Sequence, residues 1–141
     1  MVDANVLRRR IDALLGYLAR LERFATLDRE TFVAHADTYD LAERQLHLAV
    51  ECALDIANHL IADRGYEAPD TYRDSFAILV RHGALPPELG KRLQGWAGLR
   101  NILVHAYLDI DHGLTWQAIV GELGDLRALA ATAAMWLGDE G

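Results

Sequence analysis

Leu46-His47-Leu48-Ala49-Val50-Glu51-Cys52-Ala53-Leu54-Asp55-Ile56-Ala57-Asn58-His59-Leu60-Ile61 is the stretch that decides how this chain folds. Leu46, Ala49, Val50, Ala53, Ile56, Ala57 and Leu60 recur at spacings of three and four, which stacks them on one broad helical face. Leu41, Leu48 and Cys52 add apolar positions off that face. A helix apolar over so much of its circumference is a central one, covered by several neighbours or by a second subunit. The spacing predicts a helix from near Thr38, with Asp37 at its start, to about Ile61, stopped by Gly65. A narrow polar stripe remains: Arg44, His47, Glu51, Asp55 and Asn58. It reads either as a solvated face or as the wall of a functional cleft.

The same periodicity extends outward in both directions. Leu7, Ile11, Leu14, Leu15, Leu18 and Leu21 predict a first helix from about Ala4 to Ala25, capped by Asp3, with Asp28 capping a following segment. A loop through Pro69 leads to a short helix at Tyr72 to Arg81, ended by His82-Gly83. Pro86-Pro87 suit the start of another helix, where a missing N–H costs little. That helix holds Gly90, Gly95 and Gly98, which suggest a kink or a close backbone approach just before Arg100. Trp116, Ile119, Val120, Leu123, Leu126, Ala130, Ala133 and Leu137 predict a last helix from about Thr115 to Leu137, started by Asp111 or Thr115. No period-2 run of β-branched residues appears. The expectation is a single all-α domain over residues 1–141, an up-and-down bundle of four or five helices.

Composition narrows the function. The chain is 52% hydrophobic and 25% charged, as globular domains are. Its net charge of −7 excludes a generic nucleic-acid coat, so any RNA chemistry needs a local basic site. The lone Cys52 excludes an intramolecular disulfide and a cysteine-rich zinc module. His35, His47, His59, His82 and His112 include no i,i+4 pair, and Gly95-Trp96-Ala97-Gly98 lacks the strand and lysine of a phosphate loop. Neither a metal nor a cofactor is expected. No apolar run is long enough to cross a bilayer, and the protein reads as cytosolic.

The densest polar cluster in an apolar setting is Arg100-Asn101-Ile102-Leu103-Val104-His105-Ala106-Tyr107. Ile102, Leu103 and Val104 read as a buried run bracketed by Arg100, His105 and Tyr107. An imidazole moves protons near neutral pH, and a guanidinium grips a phosphate with two hydrogen bonds. Arg-x4-His-x-Tyr resembles the signature of HepT-like toxins in the HEPN superfamily. Leu99, Leu108-Asp109-Ile110-Asp111, Trp116 and the helix Glu51–Ile61 fit that context. The resemblance runs clearly from about Leu41 to Leu126.

That resemblance implies a homodimer with a metal-independent ribonuclease site at its two-fold axis, one motif coming from each subunit. It makes Arg100 and His105 the catalytic pair, supported by Asn101. It makes Tyr107 the residue that an MntA-like nucleotidyltransferase antitoxin modifies with AMP. The substrate is then RNA, because the nucleophile is the 2′-OH. A non-catalytic HEPN bundle that only docks a nucleotidyltransferase is the alternative.

Helical geometry leaves the pairing open. Arg100 and His105 lie about 140° apart around a regular helix, whereas Arg100 and Tyr107, seven apart, share a side. Either the helix is distorted, or the long arginine stem reaches round, or each Arg100 meets the other subunit's His105. Arg64, Arg81, Lys91 and Arg92 read either as an extended RNA footprint or as solvated surface charge.

Overall fold

The computed structural model describes residues 4–139, so Asp3 lies outside the described residues. The described residues form seven α-helices: α1 (Ala4–Glu22), α2 (Arg29–Ala34), α3 (Ala36–Arg64), α4 (Tyr72–Arg81), α5 (Pro87–His105), α6 (His112–Gly121) and α7 (Leu123–Asp139). A 3-10 turn, Phe24–Thr26, follows α1. The bundle itself is made by the four long helices. α1 packs on α3, α3 on α5, α5 on α7, and α7 returns to α1. The short helices α2, α4 and α6 clothe this frame.

α3 is the pillar of the fold. Leu46, Ala49, Val50, Ala53, Leu54, Ile56, Ala57 and Leu60 are each at most 1% exposed, all within the single chain. A second subunit is therefore not needed to cover that face. Only Leu41 remains exposed at its start, with Leu48 and Cys52 half-buried. α3 begins at Ala36, just ahead of Asp37, and ends at Gly65, whose φ of 67° is a left-handed stop that glycine adopts without strain.

Local chemistry sets most boundaries. Asp28 accepts from the Thr31 N–H and caps α2, which holds its exposed carboxyl below the usual carboxylate range. Thr71 and Asp74 form a reciprocal capping box at α4, where sequence spacing placed the helix. Pro86 and Pro87 open α5. The last helix differs from expectation, because it breaks at Glu122 into α6 and α7. Apolar spacing continues through the break and hides it. The break lets α6 lie against the first half of the chain. Trp116 Nε1 donates to the Leu27 carbonyl at 2.8 Å, and Thr115 donates to the buried Glu43 at 2.7 Å. His112 completes this pin, 2.7 Å from Glu43 and stacked on Tyr39.

The glycines of α5 divide by environment. A methyl group at Gly90 would collide with Val80 Cγ2, and one at Gly98 would meet the Arg73 guanidinium. α4 and α5 thus approach closely, as the sequence suggested, but Gly95 faces open space. Gly90→Ala is therefore expected to destabilise. Overpacking costs about 1–3 kcal/mol, against about 1 kcal/mol recovered in helix propensity. Gly95→Ala should instead stabilise, by about 0.5–1 kcal/mol. Urea unfolding midpoints moving in opposite directions would confirm the contrast. A neutral Gly90→Ala would show that the helices part freely.

Candidate active site at the end of the fifth helix

α5 is helical without interruption from Pro87 to His105, so its glycines do not reshape it before Arg100. Arg100 turns inward toward α3 and α4, with its side chain 14% exposed. Its Nε donates to Glu51 Oε1 at 2.6 Å, and Nη1 donates to Asn101 Oδ1 at 3.3 Å. The guanidinium carbon lies 4.5 Å from the centre of the Tyr72 ring. A carboxylate, an amide and an aromatic face therefore fix the plane of the group, while its remaining N–H groups are left for a phosphate.

The polar stripe of α3 supplies much of this wall. His47 Nε2 lies 3.3 Å from Glu51 Oε1, and Arg44 lies 3.4 Å from His47 Nδ1. Asn58 accepts a 2.7 Å hydrogen bond from Ser75, which is fully buried on α4. Asp55 behaves differently: it pairs with Arg10 of α1 at 3.4 Å, and burial raises its pKa. So Glu51 and Asn58 make the cleft-wall reading the better one, and Asp55 belongs to the packing of α1. Tyr72 and Ser75 were not legible as site residues. Their only signal was the cap that starts α4, which says where a helix begins and not what it faces.

His105 is the last residue of α5. It is exposed, and its side chain has no hydrogen-bond partner among the described residues. Within one chain Arg100 and His105 form no hydrogen bond; they leave the helix on different sides. Tyr107 is 67% exposed and lies beyond the helix, in a turn closed by the Asp109 N–H on the Ala106 carbonyl at 2.9 Å. Because α5 ends first, the seven-residue spacing does not put Tyr107 and Arg100 on one helical face. The run Ile102-Leu103-Val104 is also not buried. Ile102 is 44% exposed and the other two are half-buried, because the last turn of α5 projects past the core.

A cleft of about 410 Å³ adjoins Arg100, lined by Asn58, residues 69–71, Tyr72, Ser75 and Asn101. A larger hollow of about 740 Å³ lies between α5, α6 and α7. There Arg92 and Trp96 both donate to Asp125, at 2.7 and 3.2 Å, which ties α5 to α7. Of the outlying cations, Arg64 pairs with Asp63, Arg81 with Glu67 and Arg92 with Asp125. They read as surface and packing charge.

Among the described residues, no group of three or more His, Cys, Asp or Glu is placed to hold a metal ion. Burial pushes the Cys52 thiol up, so it is not a ready nucleophile. No described helix is long and apolar enough to cross a membrane.

Comparison with known proteins places the chain in a family. A family model for HepT-like ribonucleases matches residues 14–133. A tRNA nuclease HepT from Aphanizomenon flos-aquae is 29% identical over 118 residues, 84% of this chain and 80% of its own. An mRNA nuclease HepT from Shewanella oneidensis is 31% identical over 82 residues, 58% of this chain and 62% of its own. The fold superposes on the tri-AMPylated HEPN toxin of Shewanella oneidensis, solved in complex with an MNT antitoxin. That superposition has a TM-score of 0.84 at 24% identity, over 96% of this chain and 99% of the other, and it speaks for the fold alone. With its helical frame, its Arg100–His105–Tyr107 segment and the family match over residues 14–133, this chain belongs to the HepT-like ribonucleases.

Proposed function

We propose that the protein is the ribonuclease toxin of a toxin–antitoxin pair, cutting RNA without a metal and silenced by AMP transferred to Tyr107. The observation that carries this reading is the Arg100 guanidinium, held by Glu51, Asn101 and Tyr72 with N–H groups to spare. In the proposed reaction the ribose 2′-OH attacks the adjacent phosphorus, its proton passing to a general base. The P–O5′ bond breaks as a general acid protonates the leaving oxygen. His105, or its symmetry mate, serves one of these roles. Arg100 stabilises the charge gathered on the phosphorane. The products are a 2′,3′-cyclic phosphate and a 5′-hydroxyl.

A dimer supplies what one chain does not, an Arg100 and a His105 that face each other. Support comes from the motif's own surface. Ile102, Tyr107 and Leu108 are 44%, 67% and 83% exposed, an apolar patch of the kind that subunit contacts cover. The relatives named as tRNA and mRNA nucleases support RNA as substrate, and the toxin solved with its antitoxin supports an MntA-like nucleotidyltransferase as partner.

Purified protein incubated with transfer and messenger RNA in EDTA should yield fragments with cyclic phosphate ends. Light scattering should give twice the 15.7 kDa of one chain. Cleavage abolished by EDTA, or a strict monomer that still cuts, would overturn the respective part of the reading.

A further inference from the structure

The cleft beside Arg100 has a chemistry of its own. It is large enough for a small ligand, since such pockets run from about 300 Å³ upward. No cationic side chain lines it, and Asp70 does, so it repels a phosphate. Tyr72 contributes an aromatic wall, and Arg100 lies against that ring and against Asn101. A phosphate held by Arg100 would therefore leave a neutral, flat, neighbouring group at the mouth of the cleft.

The two amides of the cleft have their oxygens engaged. Asn58 Oδ1 accepts from Ser75, and Asn101 Oδ1 accepts from Arg100. Ser75 is fully buried, and its hydroxyl holds the Asn58 side chain through that oxygen. The group of each amide that has no partner among the described residues is its NH2, a donor. Two such donors ask for acceptors on the ligand, and the Asp70 carboxylate that shares the cleft asks for an N–H, a pairing that a keto base with its ring N–H offers.

We infer that this cleft is a nucleobase subsite beside the scissile phosphate, and that it selects keto bases, guanine and uracil, over amino bases, adenine and cytosine. The inference rests on the ribonuclease reading above and adds to it a recognition element in the substrate. Guanine offers O6 and N7 as neighbouring acceptors, where adenine replaces one of them with an amino donor. The Tyr72 ring supports the base face, as aromatic side chains do for unstacked RNA bases.

Asn58→Asp tests it. The substitution keeps the oxygen that accepts from Ser75 but replaces the donor NH2 with an acceptor. In a randomised RNA pool, sequenced at its cut sites, the wild type should favour guanine or uracil at one position flanking the cut. Asn58→Asp should shift that preference toward adenine or cytosine by about tenfold, roughly one hydrogen bond exchanged. An unchanged base profile in an active Asn58→Asp variant would overturn the inference.

A binding measurement on the wild-type protein stands in if that variant does not fold. Inosine and adenosine differ in the keto and amino group, as uridine and cytidine do. Inosine and uridine should shift the backbone NMR signals of Asn58, Tyr72 and Ser75 well beyond adenosine and cytidine at equal concentration. Ribose 5-phosphate should leave those signals in place. Equal shifts for both members of each pair, or none, would overturn the inference. Failure of the ribonuclease reading looks different: Arg100→Ala would then cut RNA as well as the wild type.

Discussion

Replacing Arg100 or His105 with alanine should each cut RNA cleavage by about 10²–10⁴-fold, the usual worth of a transition-state donor or a positioned proton carrier. Neither change should unfold the protein. His105 is exposed, and its imidazole has no hydrogen-bond partner among the described residues. Arg100 leaves behind Glu51, which is 32% exposed and still has His47 at 3.3 Å. Thermal melts near wild type with cleavage lost would place both residues in chemistry. Full activity in either variant would sink the mechanism. Mixing the two variants tests the geometry. If each guanidinium serves the other subunit's imidazole, a mixed dimer rebuilds one complete site and cleavage returns. If the pair works within one chain, the mixture stays inactive.

The second large effect is expected at Tyr107. Tyr107 is 67% exposed in a turn past the end of α5, so a transferase can reach the hydroxyl without unfolding anything. In the proposed transfer, the phenolic oxygen attacks the α-phosphorus of ATP. The bond to the β-phosphate oxygen breaks, pyrophosphate leaves and a base takes the phenolic proton. The new phosphate is an anion beside the motif, placed to repel RNA. Tyr107→Phe should remove the AMP mass increment at that position when the chain is co-expressed with its nucleotidyltransferase. It should keep cleavage within about threefold of wild type, since an exposed hydroxyl contributes little to stability. Cells carrying both proteins should then lose viability. A fully neutralised complex with unmodified Tyr107 would rule out this control.

Much of this frame could be read in one sequence, for identifiable reasons. The apolar spacing of α3 and the left-handed stop at Gly65 are local signals, and α3 obeys them. Tyr72 to Arg81 was legible because Thr71 and Asp74 cap it through short-range hydrogen bonds. The break at Glu122 was not legible. It is set by Trp116 reaching the Leu27 carbonyl and Thr115 reaching Glu43, contacts across some seventy to ninety residues of chain. Ile102-Leu103-Val104 looked buried because composition carries no information about where a helix outruns its neighbours. The candidate site divides along the same line. Arg100, His105 and Tyr107 sit in one contiguous segment. Glu51, Tyr72 and Ser75 join them only through the packing of three helices. The dimer argument from α3 was also misplaced, since the chain buries that face itself; the exposed apolar residues lie at the motif.

The Glu51–Arg100 contact has a consequence for how RNA arrives. In the idle enzyme the guanidinium already carries its compensating charge, 2.6 Å away, so little positive field escapes the cleft. Seen from beyond a Debye length, about 8 Å at physiological ionic strength, the chain is a body of net charge −7 approaching another polyanion. Long-range steering therefore works against the encounter. Modest added salt should speed association, where for most nucleic-acid-binding proteins it weakens binding. Attraction begins only at contact, when a phosphate reaches the N–H groups that Glu51 and Asn101 leave free. Selectivity is then exercised on RNA already at the surface, and passing RNA is not drawn in from a distance.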